Sequence, residues 1–300
     1  MIAIDWGTSS FRAYRLENAD GAVLEQRSAA AGLLACQGVF ETVLAEQLAG
    51  WDDEPLVLMA GMIGSRNGWH EVPYVSCPAG FEQVAAGMLE VSAASLPGRR
   101  IFIAPGLSDR PAGGLPEVMR GEETQLIGLL GQLEGPGPHT LCLPGTHSKW
   151  ATIEAGRITS FHTAMTGELY AVLSQHSLLG ALMNRDADAQ VDDEAAFGLG
   201  VATSRRPGGL LNHLFSVRAR GLFGELSATQ LPSYLSGLLV GHELQGLLAT
   251  ARRVHLIGGA ALTRRYKRAL ALHGIEAVTH GEALTAQGLH RLARAGKLIP

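Results

Sequence analysis

The chain has 300 residues, 46 % hydrophobic and 17 % charged, with a net charge of −4. That is enough for one large α/β domain or two smaller lobes with full cores, in an ordinary soluble globule. The charge offers no nucleic-acid or membrane surface, the apolar runs are strand-sized, and the N-terminus lacks the features of a signal peptide. The three cysteines, Cys36, Cys77 and Cys142, form no CxxC, so a reduced, cytoplasmic chain without disulfides is expected. His139, Cys142 and His147 are near one another, but the alternation in HTLCLPG suits a strand better than a zinc site.

In chain order, IAID (2–5), FRAYRLE (11–17) and AVLEQRSA (22–29) read as strands. A helix is predicted over 37–51, a buried strand over 55–61 and a loop through GMIGSRNGWHEVPY. A helix over 81–93, a buried strand over 99–106 and a Gly/Pro-rich loop over 107–120 follow. GEETQLIGLLGQL (121–133) reads as a helix with two acids in its first turn, which the helix dipole favours.

GPGPH (135–139) marks a boundary, after which the opening pattern repeats. Gly7-Thr8-Ser9-Ser10-Phe11-Arg12 lies over Gly145-Thr146-His147-Ser148-Lys149-Trp150, each a Gly-Thr-x-Ser turn with a cation between strands. Helices are predicted over 166–183, 192–204, 208–219 and 231–251. A buried strand (253–259) breaks at Gly258-Gly259 into a helix, and a last strand (275–280) and helix (283–296) close the chain. FGLG (197–200) and PGG (207–209) read as helix ends or loops.

The turns carry the chemistry. A hairpin with glycine and hydroxyls offers N–H and O–H donors that suit phosphate oxygens, and Arg12 adds a cationic donor. Asp5, at the strand end, would suit a hydrated magnesium ion bridging phosphates. For the first hairpin alone, backbone satisfaction by Asp5, Thr8 and Ser9 is an equal alternative. The second hairpin and the Gly-Gly strand end turn the preference to phosphate. Neither GxxxxGK[ST] nor GxGxxG occurs, so this is neither a Walker nor a Rossmann site by motif.

Asp5-x-Gly7-Thr8-Ser9-Ser10-x-Arg12 resembles the first phosphate motif of the sugar kinases in the actin-like ATPase superfamily, such as glycerol and xylulose kinases. LPGTHSKW resembles their second phosphate motif and LIGGAAL their adenosine motif. Through DWGTSSFRAYRL, AGMIGSRNGW, MRGEETQLIG, LPGTHSKW, MTGEL and LIGGAAL, the whole chain is similar to the 2-dehydro-3-deoxygalactonokinase family.

The resemblance implies an α/β, two-lobed actin-like ATPase (ribonuclease H-like) fold, each lobe a mixed sheet flanked by helices. The expected parts are an N-terminal lobe (1–135), a C-terminal lobe (136–282) and a C-terminal helix (283–300) packing back on the first. ATP is expected in the cleft with Mg2+, and the reaction is phosphorylation of the 6-hydroxyl of 2-dehydro-3-deoxy-D-galactonate. A kinase for another sugar acid, such as 2-dehydro-3-deoxygluconate, and a non-catalytic ATP-binding regulator are the alternatives. No nucleic acid or membrane partner is expected, and a homodimer is the one assembly entertained.

Roles follow by resemblance. Gly7, Thr8, Ser9, Arg12, Gly145, Thr146, Ser148 and Lys149 would hold phosphate. Gly258, Gly259 and Ala260 would hold adenosine, and Asp5 the metal. Arg66, in a loop with Ser65 and Trp69, suits the substrate carboxylate, with Arg120 a further pocket residue; a solvated surface Arg66 is the plain alternative. The related kinases place a catalytic Asp in a G-D-x-x-A helix start. Here Gly121-Glu122-Glu123-Thr124-Gln125 stands in that place, with Glu122 preferred as base and Glu123 second.

Overall fold

The computed structural model describes residues 1–133, 135, 137–184, 193–247, 251–281 and 283–300. Asp192 and 248–250 of two expected helices, and the expected lobe limits at 136 and 282, lie outside the described residues. The chain divides into two compact units. One is Met1–His139 with Ala151–Phe161 and Gly281–Pro300; the other is Thr140–Trp150 with His162–His280.

The elements run β1 (Ile2–Trp6), β2 (Phe11–Leu16), β3 (Val23–Ala29), α1 (Phe40–Gln47), β4 (Leu56–Gly61), β5 (Val75–Ser76), α2 (Phe81–Ala86), β6 (Leu89–Val91), β7 (Arg100–Ile103), β8 (Leu107–Asp109), β9 (Glu117–Met119) and α3 (Glu122–Leu130). They continue as β10 (His139–Leu143), β11 (Ser148–Glu154), β12 (Arg157–Ala164), α4 (Thr166–His176), α5 (Glu194–Ser204), α6 (Gly209–Leu222), α7 (Leu231–Leu247), β13 (Arg253–Ile257), α8 (Ala260–Leu272), β14 (Glu276–His280) and α9 (Leu284–Ala295).

The first large sheet has the order β3-β2-β1-β4-β7-β6, and the second β12-β11-β10-β13-β14. In both, a run of three consecutive strands is followed on its inner side by two strands parallel to the first of the three, to which the first sheet adds antiparallel β6 at its edge. The repeat of the Gly-Thr hairpin is therefore a repeat of sheet topology. Alternation in β1 and unbroken apolarity in β4 bury Ile2, Ile4, Trp6, Val57 and Met59 together with Phe11 and Leu44. In the second unit, Cys142, Val254, Leu256, Phe197, Val201 and Tyr266 form the equivalent core.

Three expectations are corrected. The helix over 81–93 stops at Ala86 because Gly87 packs on Val75 and Pro105; Leu89–Val91 then pair antiparallel with β7 as β6. The loop over 107–120 contains β8 and β9, which pair through buried Leu107 and Met119. FGLG lies inside α5, where a Cβ on Gly200 would stand 2.3 Å from the Tyr234 carbonyl oxygen of α7. Only hydrogen fits at that crossing.

In the first unit α9 lies on α3. A Cβ on Gly128 would meet the Leu284 carbonyl at 2.2 Å, and one on Gly288 the Thr124 carbonyl at 1.9 Å. The two backbones thus touch. Among the described residues no helix is long and apolar enough to cross a membrane.

Candidate active site

The first hairpin joins β1 to β2 through Gly7–Ser10, closed by Gly7 N–H to Ser10 O at 2.9 Å. Its tip is pinned from beneath. Leu33 and Leu34 N–H groups donate to the carbonyls of Gly7 (3.0 Å) and Thr8 (3.2 Å). Gly32 lies so close under it that a Cβ would stand 2.3 Å from Ser9 C. Thr8 and Ser9 are left exposed at the tip.

The second hairpin joins β10 to β11 and is pinned in the same way. Glu168 N–H donates to Thr146 O at 3.0 Å, and a Cβ on Gly167 would stand 2.4 Å from Gly145 O. His147 pairs with Glu168 at the surface. Each tip thus rests on a glycine, Gly32 or Gly167, that the reading of the motifs missed. The signal was present in AAGLL and MTGEL, a glycine within two residues of a leucine just after the third strand.

Two expected phosphate ligands turn inward. Ser148 opens β11, where the chain passes from exposed Thr146 and His147 into a strand buried on both faces over Ser148–Ala151. Its Oγ bonds the Tyr266 hydroxyl at 2.8 Å. Lys149 is buried with Nζ donating to Thr163 Oγ1 at 2.9 Å. Behind Ser148 stands Glu243 of α7, another residue missed from sequence. It accepts from Trp150 Nε1 (2.6 Å), Tyr266 OH (2.6 Å) and Thr166 Oγ1. Burial pushes its carboxyl above the ordinary range, while these donors pull it back.

Gly258, at φ +148°, ends β13 with its open side 3.6 Å from Pro144 O of the second hairpin. Gly259 caps α8, accepting from Thr263 N–H at 3.0 Å, and Ala260 begins that helix. Beside them a cavity of about 380 Å³ is bounded by Gly145, Gly167, Tyr170, Leu239, Leu262 and Arg265.

In the first unit Asp5 is in register with Arg12 across the β1–β2 pair, with 3.9 Å between carboxylate and guanidinium. Burial raises the Asp5 carboxyl, and Arg12 only partly offsets this. Gly61 ends β4 at φ +95°; its open side faces Trp6 O (2.7 Å) and Asp5 Oδ1 (3.4 Å). Gly121, at φ +109°, sits against Gly61 and starts α3. This stack brings the head of α3 to the end of β1.

The two adjacent glutamates then diverge, as positions about 100° apart must. Glu122 is half-buried, its Oε2 accepting from Arg120 N–H at 3.0 Å. Glu123 is fully buried, its Oε2 accepting from Gly121 N–H at 2.6 Å and its Oε1 without a hydrogen-bond partner. Burial, then the Glu122 charge, push the Glu123 carboxyl up to about 8.

Ser65 and Arg66 part in the same manner. Ser65 is buried with Oγ unpartnered; Arg66 is exposed and, with half-buried Trp69, lines a hollow of about 520 Å³ at the start of α1. Arg120 lies over Tyr74 (4.4 Å) and donates to Val72 O at 2.7 Å. Its Nη1 is 3.0 Å from the open side of Gly64, and its Nε and Nη1 have no partner.

Two glycine-hydroxyl hairpins, each joining the first two strands of a sheet with the same strand order, define an α/β protein with the actin-like ATPase fold. A solved structure of an activator of 2-hydroxyisocaproyl-CoA dehydratase from Clostridium difficile, with ADPNP bound, shares this fold: TM-score 0.52, 12 % identity, 99 % of this chain and 96 % of that one. The chain belongs to the 2-keto-3-deoxy-galactonokinase family, whose profile it matches over residues 5–292. It is 36 % identical over 301 residues to the Escherichia coli (strain K12) 2-dehydro-3-deoxygalactonokinase, covering 98 % of this chain and 97 % of that protein. A Rhizobium meliloti (strain 1021) relative named as a probable 2-dehydro-3-deoxygalactonokinase is 40 % identical, covering 98 % and 96 %. A Sinorhizobium meliloti structure solved as a candidate for the same enzyme superposes with a TM-score of 0.89 at 37 % identity, covering 98 % of each chain.

Proposed function

We propose that the chain transfers the γ-phosphoryl group of ATP to the 6-hydroxyl of 2-dehydro-3-deoxy-D-galactonate. Family membership supports the substrate class, and the observation that carries the chemistry is the Asp5–Gly61–Gly121 stack. It joins a phosphate hairpin, a carboxylate at a strand end and a helix start bearing glutamates within one unit.

Glu122 is the base in this reading. Its carboxylate is accessible, and Arg120 N–H orients it. Glu123 does not serve, because a fully buried carboxyl raised to about 8 is mostly protonated at neutral pH. It braces the Gly121 turn instead. Proton acceptance contributes ~10²–10⁴-fold; positioning and charge stabilisation supply the rest.

In the first unit Gly7, exposed Thr8 and Ser9, and Arg12 are donors suited to phosphate oxygens, and in the second unit Gly145 and exposed Thr146 are donors of the same kind. Ser148 and Lys149 hold the second hairpin's shape from within. The 380 Å³ cavity beside Gly258-Gly259 suits the nucleoside, with Tyr170 and Leu262 as apolar walls. The Asp5 carboxyl, destabilised by burial and only partly relieved by Arg12, fits Mg2+ held through water. Bound there with ATP, the ion would neutralise phosphate charge. Arg66, projecting into the 520 Å³ hollow, would pair with the sugar acid's carboxylate.

The test is ADP release from Mg-ATP with 2-dehydro-3-deoxy-D-galactonate, its gluconate epimer, glycerol, xylulose and glucose. Turnover with the galactonate-derived acid above the others is expected. Turnover with a different sugar alone removes the substrate assignment. Nucleotide binding without turnover on any of them removes the enzyme.

A further inference from the structure

We propose that two copies of this chain pair about a two-fold axis through the outer face of α6. The inner face of this helix packs His213 and Val217 into the second unit. On the outer face Leu211, Phe215 and Leu222 are 86 %, 63 % and 61 % exposed. With Arg218 they fall within about 60° of one another on the helix circumference. Arg218 Nη1 donates to Leu178 O, which joins Leu178, itself 72 % exposed, to the patch; Phe223 extends it past the helix end.

The amount of apolar surface argues for an occupant. These five apolar residues expose on the order of 600 Å², at the upper end of the largest patch a typical monomer shows. It also approaches the ~800 Å² per partner of a standard interface.

The pattern argues that the occupant is the same face. Turn a second copy of α6 antiparallel about an axis midway between Phe215 and Arg218. Leu211 then meets Leu222, and Phe215 of one copy meets Arg218 of the other, twice over. A guanidinium over an aromatic face is attractive, so the Arg218 charge is answered by the patch's central ring. A two-fold contact needs just this, that residue i meets j while j meets i. Arg220 of the same helix is bound to Glu225 and to the Tyr234 hydroxyl, so it adds no unpaired charge at the rim. None of these residues belongs to the proposed kinase site.

Sedimentation velocity of the full chain over a range of concentrations tests this. The native chain should run at twice its 31.7 kDa mass at micromolar concentration. Phe215→Lys sets cation against cation at the centre of the contact, and this like-charge juxtaposition should weaken pairing by about 100-fold. Phe215→Glu sets an anion against Arg218 and should keep the dimer. Phe215→Lys with Arg218→Glu should restore it. Unchanged circular dichroism and nucleotide binding would show that each variant folds. A native chain that stays single at tens of micromolar, or Lys and Glu at 215 acting alike, overturns the proposal.

Discussion

Gly121 lies against Gly61, with the site of a Cβ on Gly121 only 3.3 Å from the Gly61 Cα. Both have positive φ, so neither tolerates a side chain on conformational grounds; Gly61 has no room for one and Gly121 has it only if its neighbour gives way. The contact sets the distance between Asp5 and the head of α3. Gly121→Ala should cost about 1–3 kcal/mol of stability. It should lower kcat more than ten-fold while leaving ATP affinity near native, since it disturbs the head of α3 and not the hairpin tips. Chemical denaturation and steady-state kinetics check both halves. A variant with native kcat would mean the stack is not part of the chemistry.

The two glutamates should separate cleanly. Glu122→Gln should reduce kcat by ~10²–10⁴-fold with little change in either KM. Glu123→Gln replaces a neutral acid by a neutral amide and should keep kcat within about ten-fold of native. The reverse ranking would exchange their roles.

Glu123 also gives a pH signature. Its carboxyl is raised from 4.5 to about 8 in the folded state, so between those values the folded chain holds a proton that the unfolded chain has released. Its contribution to stability is therefore fully present below pH ~4.5, falls as pH rises toward 8, and levels off above. Melting temperatures between pH 5 and 9 should decline for the native chain and decline less for Glu123→Gln. Parallel curves would show that burial does not hold the proton.

Arg66→Ala should raise KM for the sugar acid at least ten-fold and leave KM for ATP unchanged, as loss of a charge-assisted pair requires. Equal kinetics would return Arg66 to the solvated surface.

Gly32→Ala and Gly167→Ala should each weaken ATP binding, measured by calorimetry, because the new Cβ would strike the hairpin backbone at 2.3–2.4 Å. Gly246→Ala is the control. It is helical and open on all sides, so it should be neutral or stabilise by ~0.5–1 kcal/mol. Native ATP affinity in both hairpin variants would remove the tips from nucleotide binding.

Much of this site was legible. The two hairpins, the strand-end Asp5 and the Gly-Gly strand end are local patterns, and local backbone chemistry dictates them. What was hidden depends on distant chain. Ser148 reads as a hydroxyl ligand until Tyr266, 118 residues away, takes its Oγ. Glu243 reads as one more helix acid until Trp150 and Tyr266 close on it. Gly32 and Gly167 leave a faint local pattern, but their role shows only where the distant hairpin backbone comes to rest on them. The strands β8 and β9 were missed because a Gly/Pro-rich stretch masks two short pairing segments whose partner, β5, is itself two residues long. The choice between Glu122 and Glu123 needed burial, which a single sequence does not supply for neighbours.

The seating of α9 on α3 has a consequence for how this protein is made. Both belong to the first unit, yet α9 lies near the far end of the chain. A ribosome adding ~5–20 residues per second needs on the order of ten to thirty seconds to travel from Leu130 to Leu284. All that time the buried face of α3, with Leu126, Ile127 and the bare backbone at Gly128, has no helix to lie against. The second unit is fully synthesised before α9 appears, so the half that is translated first is the half that finishes folding last. A nascent chain halted before residue 284 should thus expose α3 to chaperones and proteases while its later-made half is already protected.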